Sequence, residues 1–295
     1  MSEEKQIDEL AVVGCGPAGL SAAVNGKTTN LDLKVFGSNL CSPKMGKAPK
    51  VNNYLGFHDI TGENLRDEFL GHVNDMNIQI ERSKIDSIFS QKDYYTLVSR
   101  DNTYHAYAII LATGVSNTEY LEGEEDYLGR GVSYCATCDG PLFRDRKVAV
   151  IAHTEEGLEE THHLADLAEK VLLIPKFELE GSLPPNVELV RGEPVGVSGE
   201  AFVNSVELEK DSLDVEGVFI FREVTPPDKL MPELELESHH IKTDGDMSTS
   251  RSGVYAAGDC TGTPYQLAKA VGEGQIAALN AASYVRKLKR KKTSS

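Results

Sequence analysis

The pattern of apolar and polar residues along the chain predicts alternating strands and helices. Mostly apolar runs of strand length recur along the chain, at 10–13, 33–36, 108–111, 147–151, 171–174 and 254–257. Between 78 and 111, and again between 195 and 224, apolar and polar residues alternate, as they do in strands with one buried face. Residues 266–285 form an alanine-rich amphipathic pattern that is typical of a helix. This order of elements indicates an α/β protein.

The first apolar run leads directly into a glycine-rich turn. Residues 10–13 are followed by Gly14-Cys15-Gly16-Pro17-Ala18-Gly19 and then by a helix-like segment. A strand, a glycine turn and a helix start in this order let backbone amides meet a pyrophosphate, so the turn predicts a dinucleotide site. The alternative is a tight strand-to-helix turn without a ligand. The second strand ends at Phe36 and Gly37, and no acidic residue follows to meet an adenosine ribose.

Two later strands also end in small residues that allow close approach to a cofactor. Ala112-Thr113-Gly114 follows the run at 108–111, and Gly258-Asp259 follows the run at 254–257. Asp259, at a strand end, has the chemistry to bind hydroxyl groups or to lie near a pyrophosphate. The helix predicted at 266–285 would direct its N-terminal end toward the ligand of Gly258 and Asp259.

Cys135-Ala136-Thr137-Cys138-Asp139 is the motif that carries redox chemistry. Two cysteines three positions apart can close a small disulfide ring, and a helix that begins there would lower the pKa of the first thiol. Asp139 is a candidate proton carrier. A zinc site would need further cysteines or histidines, whereas Cys15, Cys41 and Cys260 stand alone. Adjacent histidines diverge on a helix, so His162-His163 and His239-His240 are interpreted as surface residues. No metal is expected.

A second strand, turn and helix unit lacks the glycines of the first. The run at 147–151 meets Ala152-His153-Thr154-Glu155-Glu156-Gly157, in which only the last glycine is kept. Thr154 places a β-branched side chain where a phosphate would approach, and the glutamates occupy the helix start that would attract an anion. The glutamates are good helix caps as well. This segment is therefore predicted to exclude NADP(H).

Chain length, net charge and hydropathy exclude several classes of function. A chain of 295 residues is long enough for two domains. Its formal net charge of −16 argues against a nucleic-acid-binding body. The basic residues within 286–292 are interpreted as a solvated, disordered end or, less readily, as a docking site for an acidic partner. No apolar run approaches the roughly 20 residues of a membrane helix, and residues 1–10 do not resemble a secretory signal. We therefore expect a cytoplasmic protein.

Taken in order, these motifs resemble those of the low-molecular-weight thioredoxin reductases. The resemblance covers most of the chain and is carried by 14–19, 112–114, 135–139 and 253–259. The chain departs from the family pattern at 152–180, where the family has a full glycine fingerprint and basic residues for NADPH, and at 221–231. The combination is most similar to the pyridine-nucleotide-independent, ferredoxin-dependent flavin thioredoxin reductases.

The resemblance implies two Rossmann-like domains in a homodimer. A discontinuous FAD domain would span 1–113 and 246–295, and a smaller, degenerate NADPH-type domain at 114–245 would carry the cysteines. Asn53, Gln266 and Leu267 match positions that in the family lie beside the flavin, whereas Lys44 stands in a stretch, 42–45, that departs from the family pattern. The FAD-binding residues implied are Gly14, Gly16, Pro17, Ala18, Gly19, Phe36, Gly37, Lys44, Asn53, Ala112, Thr113, Gly114, Gly258, Asp259, Gln266 and Leu267.

The resemblance also implies a reaction. Electrons would pass from reduced ferredoxin through FAD to the Cys135–Cys138 disulfide and on to thioredoxin. Cys138 would be the sulfur nearer the flavin, Cys135 would form the mixed disulfide with thioredoxin, and Asp139 would carry the proton. Lys44, Lys47 and Lys50, or the basic C-terminal residues, would steer ferredoxin. The alternatives are an NADPH-dependent reductase with an unconventional nucleotide site, a dithiol oxidase that uses oxygen, and a flavin-bearing redox sensor without turnover.

Overall fold

A computed structural model of the chain describes residues 6–37, 41–46, 48–100, 102–115, 120–179, 181–222 and 225–293. The side chains of residues 43, 44, 138, 156, 292 and 293 are outside the description. The strands are β1 (Asp8–Val13), β2 (Leu33–Gly37), β3 (Ile80–Arg82), β4 (Ser87–Ser90), β5 (Tyr95–Val98), β6 (Thr103–Leu111), β7 (Val132–Ser133), β8 (Lys147–Ala152), β9 (Lys170–Pro175), β10 (Val187–Leu189), β11 (Pro194–Gly199), β12 (Val203–Leu208), β13 (Ser212–Asp214), β14 (Gly217–Phe221), β15 (Leu236–Glu237), β16 (His240–Ile241) and β17 (Val254–Ala256). The helices are α1 (Pro17–Thr28), α2 (Pro43–Gly46), α3 (Gly62–Asp75), α4 (Ala136–Asp139), α5 (Glu156–Ala165), α6 (Pro227–Leu230) and α7 (Leu267–Thr293). Two short 3₁₀ helices lie at Gly140–Phe143 and Asp259–Thr261.

The chain divides into two compact units. Unit 1 comprises residues 1–115 and 226–295, and unit 2 comprises residues 116–225. The segment 226–245 therefore belongs to unit 1, whereas the family resemblance implies a place for it in the central domain. The reason is burial: Leu230, Met231 and Ile241 pack into the same apolar core as β1 and β6.

Unit 1 is built on a mainly parallel sheet in the order β3-β2-β1-β6-β5-β4, with β17 paired beside β6. β1, β2, β3, β6 and β17 pair in parallel, and β4, β5 and β6 form an antiparallel meander. Leu10 and Val12 pack into one core with α1 and α7, while Ala11 and Val13 pack into the core on the other face. Because both faces are covered, β1 consists of consecutive apolar residues and does not alternate.

Unit 2 contains a five-stranded parallel sheet in the order β10-β9-β8-β14-β7 and a separate antiparallel sheet, β11-β12-β13. β14 is buried along its whole length. Its continuous apolar sequence is the expected consequence of a central position in a parallel sheet.

The last helix is longer than its apolar pattern predicted. The sequence pattern predicts a helix at 266–285 and a disordered basic end after it, but α7 continues to Thr293. Arg286 donates to the Thr29 carbonyl oxygen at 3.2 Å, and Lys289 pairs with Glu9. These contacts with neighbouring elements hold the basic residues in helical form. Among the described residues, no helix is both long enough and apolar enough to cross a membrane.

Candidate active site

The carboxyl ends of four parallel strands of unit 1 meet at one edge of the sheet. Backbone hydrogen bonds link them in series: the Gly14 amide donates to Phe36, Ala112 donates to Val13, and Ala257 donates to Leu111, all at 2.8–2.9 Å. The predicted cofactor residues that follow these strands, at 14–19, 36–37, 112–114 and 258–259, are therefore brought together. In parallel α/β sheets, ligands bind at this edge.

The glycines of the first turn have two distinct roles. Gly14 adopts a φ of +116°, and a Cβ added there would lie 2.2 Å from the Ala112 carbonyl oxygen. A Cβ at Gly19 would lie 1.8 Å from the Gly14 carbonyl oxygen, so both positions require glycine for packing. A Cβ at Gly16 would meet only Ser42 Oγ, at 3.9 Å, and Gly114 has no described neighbour within 4 Å. Gly16 and Gly114 therefore leave open space at the edge.

The start of α1 is suited to an anion. Gly16 is the N-cap, Pro17 occupies the first turn, and that turn contains no acidic residue. The helix dipole and the amides that follow Gly16 are thus available to a phosphate group. Thr113 Oγ1 is buried, and no nitrogen or oxygen atom of the described residues is its hydrogen-bond partner. Room at two glycines, an uncompensated helix start and this hydroxyl fit a bound dinucleotide.

The turn at Gly258 and Asp259 is held by two residues of α7. Lys269 Nζ donates to the carbonyl oxygens of Gly258 and Gly262 at 3.0 and 2.8 Å. Glu273 accepts a hydrogen bond from the Gly258 amide at 2.9 Å and pairs with Lys269 at 3.1 Å. Neither Lys269 nor Glu273 is among the site residues that the sequence motifs predict. Lys269 and Glu273 are four residues apart on one helix, and this spacing in the sequence indicates an ion pair.

Two of the residues that the resemblance implies beside the flavin, Asn53 and Gln266, are in direct contact. Asn53 Nδ2 donates to Gln266 Oε1 at 3.2 Å, and Leu267 begins α7 directly after Gln266. Tyr265 OH lies 2.7 Å from His240 Nε2. Lys44 belongs to α2, but the prediction for its side chain lies outside the described part of the chain.

Cys15 and Cys41, which the sequence analysis left unpaired, form a disulfide. Both are buried, at 5% and 8% exposure. Cys15 lies in the turn after β1 and Cys41 lies shortly after β2, so the parallel arrangement of the two strands brings them to the same edge. Cys260, a free thiol, is fully buried, and burial raises its pKa to about 11.

The redox motif lies in unit 2, immediately after β7. Cys135 is disulfide-bonded and directly precedes α4, as the motif predicted. Ser133 Oγ donates to Asp139 Oδ2 at 2.6 Å and accepts a hydrogen bond from the Cys135 amide at 3.1 Å. Ser133, which sequence reasoning missed, thus ties the carboxylate to the cysteine backbone. The prediction for the Cys138 sulfur concerns a side chain outside the description.

The corresponding edge of unit 2 is occupied by charged side chains. Arg222, directly after β14, makes a bidentate ion pair with Glu124 at 2.5 and 2.7 Å, and both side chains are almost fully buried. Tyr134 OH donates to Glu124 Oε1 at 2.6 Å, and Tyr120 stacks on the guanidinium at 5.3 Å. Burial and hydrogen bonding to Glu124 raise the pKa of Tyr134. The hydroxyl therefore stays protonated as a donor.

His153 and Lys176 complete this edge. The His153 amide donates to the Phe221 carbonyl, and the Lys176 amide donates to Ala152, so both residues follow neighbouring strands. Burial, with Arg222 and Lys176 nearby, lowers the pKa of His153 to about 4. Lys176 is paired with Glu193. The cations of this edge are thus matched with carboxylates of the protein.

Comparison with known proteins gives the family. The pyridine nucleotide-disulphide oxidoreductase family matches residues 8–180 and 182–274. Thioredoxin reductase from Listeria monocytogenes is 31% identical over 98% of this chain and 97% of its own length. The structure of a ferredoxin-flavin thioredoxin reductase from Clostridium acetobutylicum is 43% identical and covers 96% of this chain and 100% of its own, with a TM-score of 0.93.

A thioredoxin reductase from Gloeobacter violaceus is 28% identical, with a TM-score of 0.78, and covers 96% of this chain and 95% of its own. These similarities confirm the predicted family and the fold of two Rossmann-like domains. The chain therefore belongs to the pyridine nucleotide-disulphide oxidoreductase family and, within it, to the thioredoxin reductases, which are flavin-dependent disulfide oxidoreductases.

Proposed function

We propose that the protein reduces the disulfide of thioredoxin with electrons from reduced ferredoxin, and that FAD binds at the edge of unit 1. One observation carries the proposal: the edge of unit 1 is open and lined with glycine, whereas the edge of unit 2 is filled by a buried ion pair. The similarity to the Clostridium ferredoxin-flavin enzyme supports the choice of donor.

The residues that would hold FAD are those gathered at the edge of unit 1. The turn at 14–19 and the start of α1 would bind the pyrophosphate, Thr113 and the Gly258–Asp259 turn would bind other polar groups, and Asn53 and Gln266 would lie beside the ring system. When bound, FAD supplies the coupling of one-electron and two-electron chemistry that neither the donor nor a disulfide has by itself. The protein would supply the position of FAD and the electrostatic environment around it.

The residues around Cys135 would handle the sulfur chemistry. We assign Cys135 as the sulfur that forms the mixed disulfide with thioredoxin and Cys138 as its partner. Ser133 holds the Asp139 carboxylate beside the Cys135 backbone, and this position suits a group that carries a proton to and from a leaving thiolate. Overall, two electrons and two protons convert the thioredoxin disulfide to a dithiol.

The direction of the reaction agrees with a low-potential donor. Thioredoxin lies near about −270 mV, and in a two-electron couple about 30 mV of driving force corresponds to about 1.4 kcal/mol. Steering of an acidic iron–sulfur protein needs a basic surface. Lys50 is paired with Asp59, and Lys47 lies outside the described residues. The exposed Arg286 and Lys287 near the end of α7 are therefore the better candidates, and salt would slow reduction if they act.

A homodimer and a cytoplasmic location stay predictions of the family resemblance. Sedimentation of the purified protein tests the first of them, with twice the chain mass as the expected result.

An anaerobic titration tests the donor. The oxidised holoprotein is mixed in parallel with NADPH, NADH and reduced ferredoxin, and the flavin absorbance is followed. We expect bleaching with ferredoxin and none with either nucleotide. Bleaching by NADPH at a comparable rate would overturn the proposal, and peroxide production with a small dithiol would favour an oxidase. With Cys135→Ser, bleaching should persist while thioredoxin reduction is lost.

A further inference from the structure

A disulfide lies within the turn that is proposed to hold FAD. Cys15 sits between Gly14 and Gly16, and it is bonded to Cys41 across a sequence separation of 26. The bond therefore closes a loop that contains α1 and β2. It is separate from the disulfide of Cys135, which lies in unit 2.

The packing around the sulfur atoms shows that the Cys15–Cys41 disulfide lies at the carboxyl edge of the unit 1 sheet. A Cβ added to Gly37, the last residue of β2, would lie 2.2 Å from Cys15 Sγ. Gly37 therefore makes room for the sulfur, and a larger residue would displace it. This is a physical reason for glycine at Gly37 that does not involve the cofactor directly.

The disulfide also positions the residue beside the open space of the turn. Ser42 follows Cys41, adopts a φ of +55°, and donates from Oγ to the Cys15 carbonyl oxygen at 3.4 Å. Ser42 Oγ is the atom that a Cβ at Gly16 would approach. Because that hydrogen bond is long, the covalent bond is the stronger tie between the Cys41 segment and the ligand-facing side of the turn.

We propose that Cys15 and Cys41 form a second thiol–disulfide site, which reacts with dithiols and controls how tightly the turn retains FAD. This inference rests on the proposed FAD site. In the oxidised state the cross-link restricts the loop and preorganises the turn for the pyrophosphate. Reduction removes the restriction, so FAD dissociates faster.

The exchange with a dithiol takes two steps and consumes one dithiol for each Cys15–Cys41 bond. One thiolate of the dithiol attacks a sulfur of the pair, the Cys15–Cys41 bond breaks, and a mixed disulfide forms. The second thiol of the reductant then displaces the protein sulfur. The products are two protein thiols and the disulfide of the reductant, so two electrons and two protons pass to the pair. Because both sulfurs are buried, exchange requires local opening at Cys41, and we expect it to be slower than exchange at Cys135.

The product of the proposed reaction, reduced thioredoxin, could in this way regulate the retention of FAD. Reduced thioredoxin is itself a dithiol, so its accumulation would supply the reductant for this second site. The protein would then release FAD when the dithiol pool is already reduced.

The test uses the holoprotein with Cys135→Ser and Cys138→Ser, so that the catalytic pair cannot take electrons. Anaerobic dithiothreitol is added, thiols are alkylated and mapped by mass spectrometry, and FAD release is followed by flavin fluorescence. We expect Cys15 and Cys41 to become alkylated only after dithiothreitol, and FAD release to accelerate about tenfold. Adding Cys41→Ser should give the fast release with or without dithiothreitol.

Cys260→Ser on the same background is the matched control, because Cys260 is a buried free thiol in the same unit. It should leave the response to dithiothreitol unchanged. Three results would overturn the inference: alkylation of both cysteines before reduction, resistance of the pair to dithiothreitol in the native protein, or reduction without faster FAD release. Failure of the proposed function has a different signature, which is a protein that contains no flavin and acquires none from added FAD.

Discussion

The two units place the same strand, turn and helix arrangement at the carboxyl edge of a parallel sheet, yet they use it differently. In unit 1 the turn after β1 has three glycines and the residues after neighbouring strands are small. In unit 2 the positions after β8, β9 and β14 hold His153, Lys176 and Arg222. One edge has room for a ligand, and the other is filled by side chains and their carboxylate partners.

The last glycine of each turn has the same structural role in both units. Gly19 and Gly157 are the last glycines of the two turns, and an added Cβ would lie 1.8 Å from Gly14 O at the first and 2.9 Å from Ala152 Cβ at the second. Both allow close packing of helix on strand, which any such unit needs. Gly14 corresponds to Ala152 and Gly16 to Thr154, so unit 2 has glycine only at the last of the three positions, where the helix packs on the strand.

The largest expected effect comes from breaking the filled edge. Arg222→Met leaves Glu124 buried without its cation, and we expect a loss of about 3–5 kcal/mol in the free energy of unfolding. Urea denaturation measures it. The double variant Arg222→Met with Glu124→Leu removes both charges and should recover most of the loss. A single variant as stable as the native protein would contradict this account of the edge.

Next in size is a test of the open edge. In Gly19→Ala the new Cβ meets a backbone carbonyl, so we expect a loss of about 3 kcal/mol in stability and little bound flavin. Gly16→Ala is the matched control for folding, because its φ of −77° suits alanine and its Cβ has space. It should unfold normally and bind FAD about tenfold more weakly. Native FAD affinity in Gly16→Ala would argue against a ligand at this turn.

A smaller effect is the pH dependence contributed by His153. Its pKa is lowered from 6.5 to about 4 in the folded protein, so between these values the unfolded chain binds more protons. The contribution of the neutral His153 side chain to the free energy of unfolding is complete above pH 6.5, and it is lost as the pH falls toward 4. After allowance for partial exposure, we expect about 1–2 kcal/mol.

Comparison of urea denaturation at pH 7 and pH 5 measures this contribution. His153→Gln should flatten the difference between the two pH values, and His162→Gln, at an exposed position, should not. An unchanged difference in His153→Gln would show that other groups carry the pH dependence.

The smallest effect concerns the segment next to the filled edge. Ser133→Ala removes the hydrogen bond to Asp139, and we expect thioredoxin reduction to slow about tenfold with little change in stability. Ser198→Ala is the matched control, because Ser198 donates to Glu207 at 2.7 Å on the antiparallel sheet of the same unit. Equal rates in the two variants would remove Ser133 from the mechanism.

Much of the site could be predicted because its parts are local in sequence. The turn at 14–19, the corner at 112–114 and the cysteine motif each consist of consecutive residues, and their types report backbone approach or thiol chemistry. The turn and the corner converge in unit 1 because parallel strands end at one edge of the sheet, whereas the cysteine motif lies in unit 2. The pairing of Glu124 with Arg222 could not be predicted in the same way, because 98 residues separate them.

The sequence by itself therefore determined the class of fold, the family and the motifs that carry redox and cofactor chemistry, since glycine, cysteine and strand patterns act over a few residues. Only the tertiary structure decided which distant groups meet: Arg222 with Glu124, Cys15 with Cys41, and Lys269 and Glu273 with the Gly258 turn. It also assigned 226–245 to unit 1 through apolar burial. Such contacts depend on which surfaces are buried together, and that is a property of the folded chain as a whole.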